Sequence, residues 1–561
     1  MKNHPHLLLL MLWLAIGVGL RFLGLATLPP WTDECATMVF SLGHSFRTVP
    51  LNQLISPDVL LQPLQILPTT GVSQVVENLL NESNHPPVYF VLVHFWLKMF
   101  SPTGEIASIW VVRSLSALLG IISIPAMFGL GYVTFGSKLV GQMAAAMMAV
   151  SPYIVFLSRE ARHYSLAMLL VIASLFCLVK AIQGIHRQQS LPIWLILVWI
   201  IINSLGVATH YFFSFTLLAQ GIVLLGQIWQ TRQEVSVNWR RIAIVAVGTL
   251  MGCLVWVPVL QNIPGSDLTT WVASSNPQVR WLEPLGRLLL WLLSMLLLLP
   301  SALTSLPLTV AIASGVVTLL FLGWSVPHLI NGLKVQQQNP HTRLGIQIIS
   351  GYIVVAIALC LFFTYVLGQD LTLAARFQFI IAPAVILLLG SALAGCWVQA
   401  QEFKFLVNAK VATSIILLMA TLGGITVVGN LGYLQNQRPD ILAAIIDKAS
   451  PNDVLIATTH LHHGQTGRLM GLAWELPNQP GKNLQFFLAR QDAASKTYTQ
   501  STQVLSQQLT KLPRPLDLWL VEFRTPVDLA SQNCIWDKKP GRFAGEYSYR
   551  VYRCAAKTNN I

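Results

Sequence analysis

Acidic residues are scarce in this chain. It holds 22 Asp and Glu against 35 Lys and Arg in 561 residues, and charged residues of both signs make up only 10%. A soluble globular protein carries about 25% charged residues. Here 54% of residues are hydrophobic and the mean hydropathy is +0.61, which excludes an ordinary soluble fold. No Asp or Glu lies inside the long apolar runs, and Lys or Arg sits only near their ends, as at Arg21 and Lys180. Ion-coupled transporters and pumps place ionisable groups at mid-membrane, so this absence counts against transport. The chain also lacks a Walker loop, a dinucleotide fingerprint, a zinc-type ligand spacing and a nucleophilic serine elbow. His460, His462 and His463 are close in sequence but have no cysteine or acid partners, which makes them a weak metal signal. The net charge of +13 forms no like-charge block and no basic stripe with interleaved aromatics, so a nucleic-acid partner is not expected.

What is present is a series of apolar runs of about 17–25 residues, each long enough to cross a bilayer as a helix. Eleven spans are expected, at about 7–27, 110–134, 138–158, 162–182, 191–208, 210–229, 242–261, 306–327, 345–367, 376–397 and 411–430. The apolar segments 88–100 and 285–300 are read as helices in or dipping into the external interface; counting both as crossings gives the alternative of thirteen. The first run lacks a small-x-small cleavage site before Pro29 and is read as an uncleaved span. With the N-terminus inside, the short cytoplasmic connections hold Lys138, Arg187, Arg232, Arg240, Arg241, Lys334, Arg343, Lys404 and Lys410. Of the 22 acids, only Glu234 and Glu402 fall there, the distribution of the positive-inside rule. The expected fold class is an all-α polytopic membrane protein with a small C-terminal external α/β or α+β domain. Residues 1–430 form the transmembrane domain, with a long first external loop at 28–109, and 431–561 form the external domain. Cys177, Cys253, Cys360 and Cys396 lie in apolar runs and are packing residues, and Cys35 follows the acidic pair at 33–34. Cys534 and Cys554 lie in the polar tail. They are a candidate disulfide if that tail is outside the cytoplasm; two free thiols are the alternative.

Polar side chains gather at the external ends of the spans. Trp31-Thr32-Asp33-Glu34 follows the first run behind Pro29-Pro30. Two adjacent carboxylates beside a membrane are costly without a task or open water, so Asp33 and Glu34 are candidates for a general base and its neighbour; helix capping is the plainer alternative. Asn84-His85-Pro86-Pro87 sets a rigid entry to the short apolar helix and puts His85 at its N-terminus. Ser158-Arg159-Glu160-Ala161-Arg162-His163-Tyr164 packs two arginines, a carboxylate and a histidine into one external turn. Arginine binds phosphate bidentately, so the cluster suits a phosphodiester or pyrophosphate; an interfacial anchor at the span ends is the alternative. Thr209-His210-Tyr211 sits at another external helix end, where interfacial belt residues are common. Arg376 opens a late span within reach of a lipid phosphate, and Arg21 must snorkel or pair.

In combination these motifs resemble a known family. An apolar first helix ending in Arg, then Pro-x-Trp-x-Asp-Glu, then His-Pro-Pro-x-Tyr-Phe, then Ser-Pro-(x)5-Ser-Arg-Glu-Ala-Arg-x-Tyr is similar to the GT-C integral-membrane glycosyltransferases. The nearest branch is the dolichyl-phosphate-mannose protein mannosyltransferase-like group, glycosyltransferase family 39 and its bacterial relatives, including the lipid A aminoarabinose transferases. The motifs cover about residues 15–170, with Arg376 a later match. The resemblance implies eleven to thirteen membrane helices and a sugar donor linked to a polyprenyl phosphate. The acceptor hydroxyl or amine belongs to a protein, lipid or polysaccharide, and the active site lies on the external face. It implies Asp33 as catalytic carboxylate with Glu34 beside it. It implies substrate contacts from Arg21, His85, Tyr89, Arg159, Glu160, Arg162, His163, Tyr164 and Arg376, and His210 is a further candidate contact beside its reading as an interfacial belt residue. Relatives with an acid-Lys pair where this chain has Asn84-His85 set His85 apart. A divalent metal is compatible with the site but not required, and no nucleotide site is needed. A transporter or flippase of a lipid-linked sugar is the rival reading, and a non-catalytic scaffold a second one.

Overall fold

A computed structural model describes residues 4–231, 236–262, 267–268, 270–273, 281–301, 306–398, 408–476, 482–492, 497–527, 529–539 and 541–555. They form two compact units. One comprises Met1–Leu25, His85–Tyr89 and Arg113–Leu434, and the other Ala26–Asn84, Phe90–Val112 and Gln435–Ile561.

The first unit is helical. Among the described residues six helices are long and apolar enough to cross a membrane: Pro5–Phe22, Ile109–Phe135, Tyr164–His186, Leu308–Gln338, Pro340–Tyr365 and Ala409–Val428. A seventh arises if Lys138–Val150 and Pro152–Ser158, bent by 58°, make one crossing. The remaining expected spans correspond to shorter pieces. These are Ile193–Thr209, Phe213–Thr231, Ser236–Leu254 with Val257–Asn262, and a 3-10 turn Ala375–Ile380 running into Ala382–Val398. Segments 88–100 and 285–300, read from sequence as interfacial, are the helices Val88–Phe100 and Leu282–Leu296.

Burial explains why these helices need lipid. Leu8, Leu319 and Leu320 are each 70–71% exposed, and Leu12, Leu197, Leu250 and Val354 are exposed as well. Apolar surface on that scale is not left to water, and with helices of spanning length it makes the chain an integral membrane protein. The interior is centred on Lys138–Val150, whose residues from Val140 to Val150 are all buried. Its neighbour Ala382–Val398 approaches closely because position 390 is glycine: a Cβ there would lie 2.5 Å from the Ala144 amide nitrogen. The break at Pro152 follows from its missing N–H, which cannot reach back to the carbonyl of Met148.

The second unit contains a seven-stranded sheet. Its strands are β1 (Leu54–Ile55), β2 (Asp453–His460), β3 (Leu484–Arg490), β4 (Leu516–Val521), β5 (Cys534–Asp537), β6 (Phe543–Ala544) and β7 (Tyr547–Cys554). The order is β1-β3-β2-β4-β7-β5, with β6 beside β7. Strands β3, β2 and β4 are parallel. Helices His463–Glu475 and Thr499–Leu509 connect them in sequence, as parallel strands require. Strand β7 is antiparallel to both β4 and β5, and Cys534 and Cys554, directly opposite in that last pair, form a disulfide. β2 and β4 are buried on both faces, which is why they read as near-continuous apolar runs.

Strand β1 comes from the first loop. It pairs antiparallel with β3, the Asn52 amide donates to the carbonyl of Leu488 at 2.9 Å, and Asn52 Oδ1 accepts from the amide of Arg490 at 2.9 Å. The loop thus supplies an edge strand to the tail's sheet, and the division by compactness runs across the linear division at residue 430.

The three tail histidines have local tasks. His462 Nδ1 accepts from the Gly464 amide at 3.1 Å, capping the following helix. His463 stacks on Phe46 with ring centroids 5.0 Å apart. His460 Nε2 lies 3.1 Å from Thr466 Oγ1, and burial, with lesser repulsion from His462 and Arg490, lowers its pKa to about 4. The folded imidazole stays neutral where the unfolded chain, with a pKa of about 6.5, takes up a proton. Its contribution to stability is therefore present above about pH 6.5 and lost as pH falls toward about 4. Denaturant titrations of the second unit's tryptophan signal should show that loss, and His460→Gln should flatten it.

Candidate active site

The acidic pair belongs to the second unit. Pro29-Pro30 ends the preceding turn, and Trp31, extended at φ −87° and ψ 173°, caps the helix Thr32–Ser41. Glu34 is fully buried, and its Oε2 accepts from the Trp31 amide at 3.4 Å. This is the third position of a capping box, so Glu34 orders the helix start from within. Asp33 lies in the same first turn and is half-buried, and its carbonyl accepts from Thr37 Oγ1 at 3.0 Å.

The first unit gathers the other candidates around His163. The turn 159–163 is buried apart from the half-buried Arg159, although it is rich in charge: Glu160 is 5% exposed, Arg162 2% and His163 0%. His163 touches His210 edge-on at 4.5 Å between ring centroids, with Tyr164 at 4.6 Å, His85 at 5.5 Å and Tyr89 at 6.1 Å. His210 packs on Phe379 at 4.8 Å. Arg162 Nη2 donates to His85 Nε2 at 2.9 Å. A guanidinium only donates, so the His85 ring proton is on Nδ1. Tyr89 Oη donates to Ser116 Oγ at 2.7 Å, which donates to the Arg162 carbonyl at 3.0 Å. Arg376 lies within electrostatic reach of His163, and Glu160 within that of Tyr153.

Neither ring nitrogen of His163 has a hydrogen-bond partner among the described residues. A fully buried imidazole left so is costly, and such groups are rare without a reason. Unsatisfied imidazole nitrogens next to Arg162, with Arg376 within electrostatic reach, suit an anionic, hydrogen-bonding guest. Among the described residues no three His, Cys, Asp or Glu side chains are arranged to hold a metal ion.

Two arginines from the same sequence motifs are engaged with backbone. Arg21 is fully buried and donates through Nη1 to the carbonyls of Gly17 (3.2 Å) and Ala149 (3.0 Å), and through Nη2 to that of Met148 (2.9 Å). The last is the carbonyl that Pro152 cannot serve. Arg159 Nη1 donates to the carbonyls of Leu20, Arg21 and Leu23 at 3.0, 3.1 and 2.8 Å, and Nη2 to that of Gly24 at 2.9 Å. Burial and Arg113 lower its pKa to about 10, which leaves it cationic at neutral pH. Apart from the Gly17 bond within its own helix, both guanidiniums thus serve carbonyls at or just past helix ends.

The turn that carries Arg376 is framed by residues sequence reasoning passed over. Tyr153 Oη donates to the Ala375 carbonyl at 2.8 Å and Tyr352 Oη to that of Ile380 at 2.7 Å. Just upstream, the fully buried Asp370 accepts from Arg287 Nη2 at 2.6 Å and from Thr372 Oγ1 at 2.6 Å. The available signal was weak: an acid just past the end of a span, and an arginine four residues after Glu283 on an interfacial helix.

Residues 94–264 match the family model described as dolichyl-phosphate-mannose-protein mannosyltransferase. The matched stretch includes Arg162, His163 and His210 but not Asp33, His85 or Arg376. Among solved structures, ArnT from Cupriavidus metallidurans bound to undecaprenyl phosphate is 13% identical. The match covers 98% of each chain, with a TM-score of 0.50. The Archaeoglobus fulgidus oligosaccharyltransferase in its apo form is 12% identical over 100% of this chain and 75% of that one, with a TM-score of 0.49. The S. cerevisiae Pmt1-Pmt2 complex bound to its sugar donor is 16% identical over 45% and 32%, with a TM-score of 0.33. No protein of curated function matches the chain. The fold is that of the GT-C glycosyltransferases, as the ArnT likeness shows, and the chain resembles the mannosyltransferase-like branch.

The capping geometry makes a prediction about Arg159. Arg159→Ala leaves helix-end carbonyls unserved and should lower stability by about 1–3 kcal/mol. Thermal unfolding in detergent measures this; an unchanged midpoint contradicts the capping role.

Proposed function

We propose that this protein is a membrane glycosyltransferase that takes a sugar from a polyprenyl-phosphate donor and passes it to a hydroxyl or amine acceptor on the external face, with inversion. The observation that carries the reading is the buried polar cluster around His163, in which unsatisfied imidazole nitrogens lie next to Arg162 and within electrostatic reach of Arg376 in a GT-C fold. ArnT, solved with undecaprenyl phosphate, is the precedent for the donor class.

The chemistry follows from charge. As the bond from the anomeric carbon to the phosphate oxygen breaks, negative charge builds on the phosphate, and Arg162 and Arg376 stabilise it where it develops. His163, His210 and Tyr164 orient the donor by hydrogen bonds and ring contact. Asp33 accepts the proton of the acceptor as its oxygen or nitrogen attacks the anomeric carbon. A single in-line displacement inverts that centre, and the apolar helices hold the isoprenoid tail. Glu34 acts through the helix cap, and Arg21 and Arg159 through the backbone. The external placement is supported by the lysine and arginine distribution and by the Cys534–Cys554 disulfide, which suits an oxidising compartment.

Purified protein supplied with radiolabelled undecaprenyl-phosphate sugars and a membrane extract should transfer label. Asp33→Asn should lower the rate about 100-fold or more, the scale of a lost general base; equal transfer by the variant removes Asp33 from the mechanism. A cysteine at position 33 should react with an impermeant maleimide added outside intact cells. Labelling only after the membrane is opened contradicts the external site.

A further inference from the structure

The tail, residues 431–561, has no part in the chemistry above, yet it packs against the segment that carries Asp33. We infer that helix His463–Glu475 of the tail, with Gln437, is the seat that positions Asp33, and that Gly467, Gly471 and Gln437 are positioning residues for the transfer step. The inference rests on Asp33 as the base.

Three contacts on the residues just before Asp33 carry it, all within the second unit. Gln437 Oε1 accepts from both Thr32 Oγ1 and the Thr32 amide, the latter at 3.4 Å. Gly467 faces Thr32 so closely that a Cβ would lie 3.1 Å from the Thr32 carbonyl oxygen and 3.3 Å from its Cγ2. Gly471, one helical turn on, faces Pro30: a Cβ there would lie 2.9 Å from the Pro30 carbonyl oxygen and 3.1 Å from Pro439 Cγ. Backbone thus rests on backbone at residues 30 and 32, and the spacing of four puts both glycines on one helix face.

The seat is braced at both ends. At its start, His463 stacks on Phe46 and meets Phe40 edge-on at 5.5 Å, and Phe40 lies in the Asp33 helix itself. Along its length, Arg468 Nη1 pairs with Glu522 Oε1 at 3.2 Å, and its carbonyl accepts from Tyr547 Oη at 3.4 Å. Asp33 is the residue after Thr32 in the same helical turn, so a displacement of residues 30–32 carries its carboxylate along. Misplacing a reacting group by about 1 Å costs on the order of 100-fold in rate. A tail that only recruits an acceptor has no need of glycines at these contacts.

The test uses full-length protein, the radiolabelled undecaprenyl-phosphate sugars and membrane extract, and four variants: Gly467→Val, Gly467→Ala, Gln437→Ala and Asp33→Asn. Gly467→Val and Gln437→Ala should each lower kcat about tenfold or more with donor KM within about twofold, and Gly467→Ala should fall between them and wild type. Gln437→Ala removes hydrogen bonds from a half-buried side chain and adds no bulk, so it separates positioning from misfolding. Wild-type kcat in Gln437→Ala overturns the seat, whatever Gly467→Val does. If Asp33→Asn is inactive in that case, the base assignment stands without it. Full activity of Asp33→Asn, or no transfer by wild type from any donor, overturns the reading on which the seat rests.

Discussion

A guanidinium can be buried only where oxygen acceptors surround it, and this requirement organises the first unit. Pro152 breaks the helix that starts at Lys138 and frees the Met148 carbonyl; Arg21 reaches from the first helix to take it and its neighbour Ala149. Arg159, at the far end of the short segment after the break, reaches back to the carbonyls at the end of that first helix. Two arginines therefore tie the ends of two helices together, without a carboxylate among the bonds described. The turn 159–163 hangs from this tie, and its buried Arg162 and His163 both meet His85. Charge met by backbone carbonyls holds the frame, and in the proposed function charge at Arg162 and Arg376 serves the donor phosphate.

The second unit solves a different problem. A general base, the role proposed for Asp33, must be held to within fractions of an ångström, and a long surface loop alone rarely does so. Here the loop is built into the tail's fold. It donates an edge strand to the sheet, lies against two glycines of a helix and shares aromatic contacts with it. The capping box of Glu34 closes the helix start from the inside. The carboxylate pair therefore divides into a half-buried acid and a fully buried one with a local hydrogen bond.

Much of this was legible in the sequence because apolar length and charge placement act locally. The segments expected to be helical are helical over most of their length, and the tail combines helices and a sheet as expected of an α/β or α+β fold. Within the tail, the apolar stretches at 454–457 and 516–521 form β2 and β4. The motifs around His85, Arg162, His163, Tyr164 and His210 converge. Contacts made over long sequence distances were not legible. Nothing local distinguishes Arg159, which serves backbone, from Arg162 three residues later. Asp370 and Arg287 are 83 residues apart and become a pair only in the fold. The close approach of Gly467 and Gly471 to Pro30 and Thr32 spans most of the chain, and so does the pairing of β1 with β3, which cuts across the linear division at residue 430.

The central claim is a division of labour: cationic side chains around His163 hold the donor phosphate, and Asp33 acts only on the acceptor. Native mass spectrometry of the full-length protein titrated with undecaprenyl phosphate tests it most directly. The account predicts that Asp33→Asn binds the lipid phosphate as tightly as wild type, while Arg162→Ala binds about tenfold or more weakly, the loss of one charge-assisted phosphate contact. Equal binding by Arg162→Ala, or binding lost in Asp33→Asn, would contradict it.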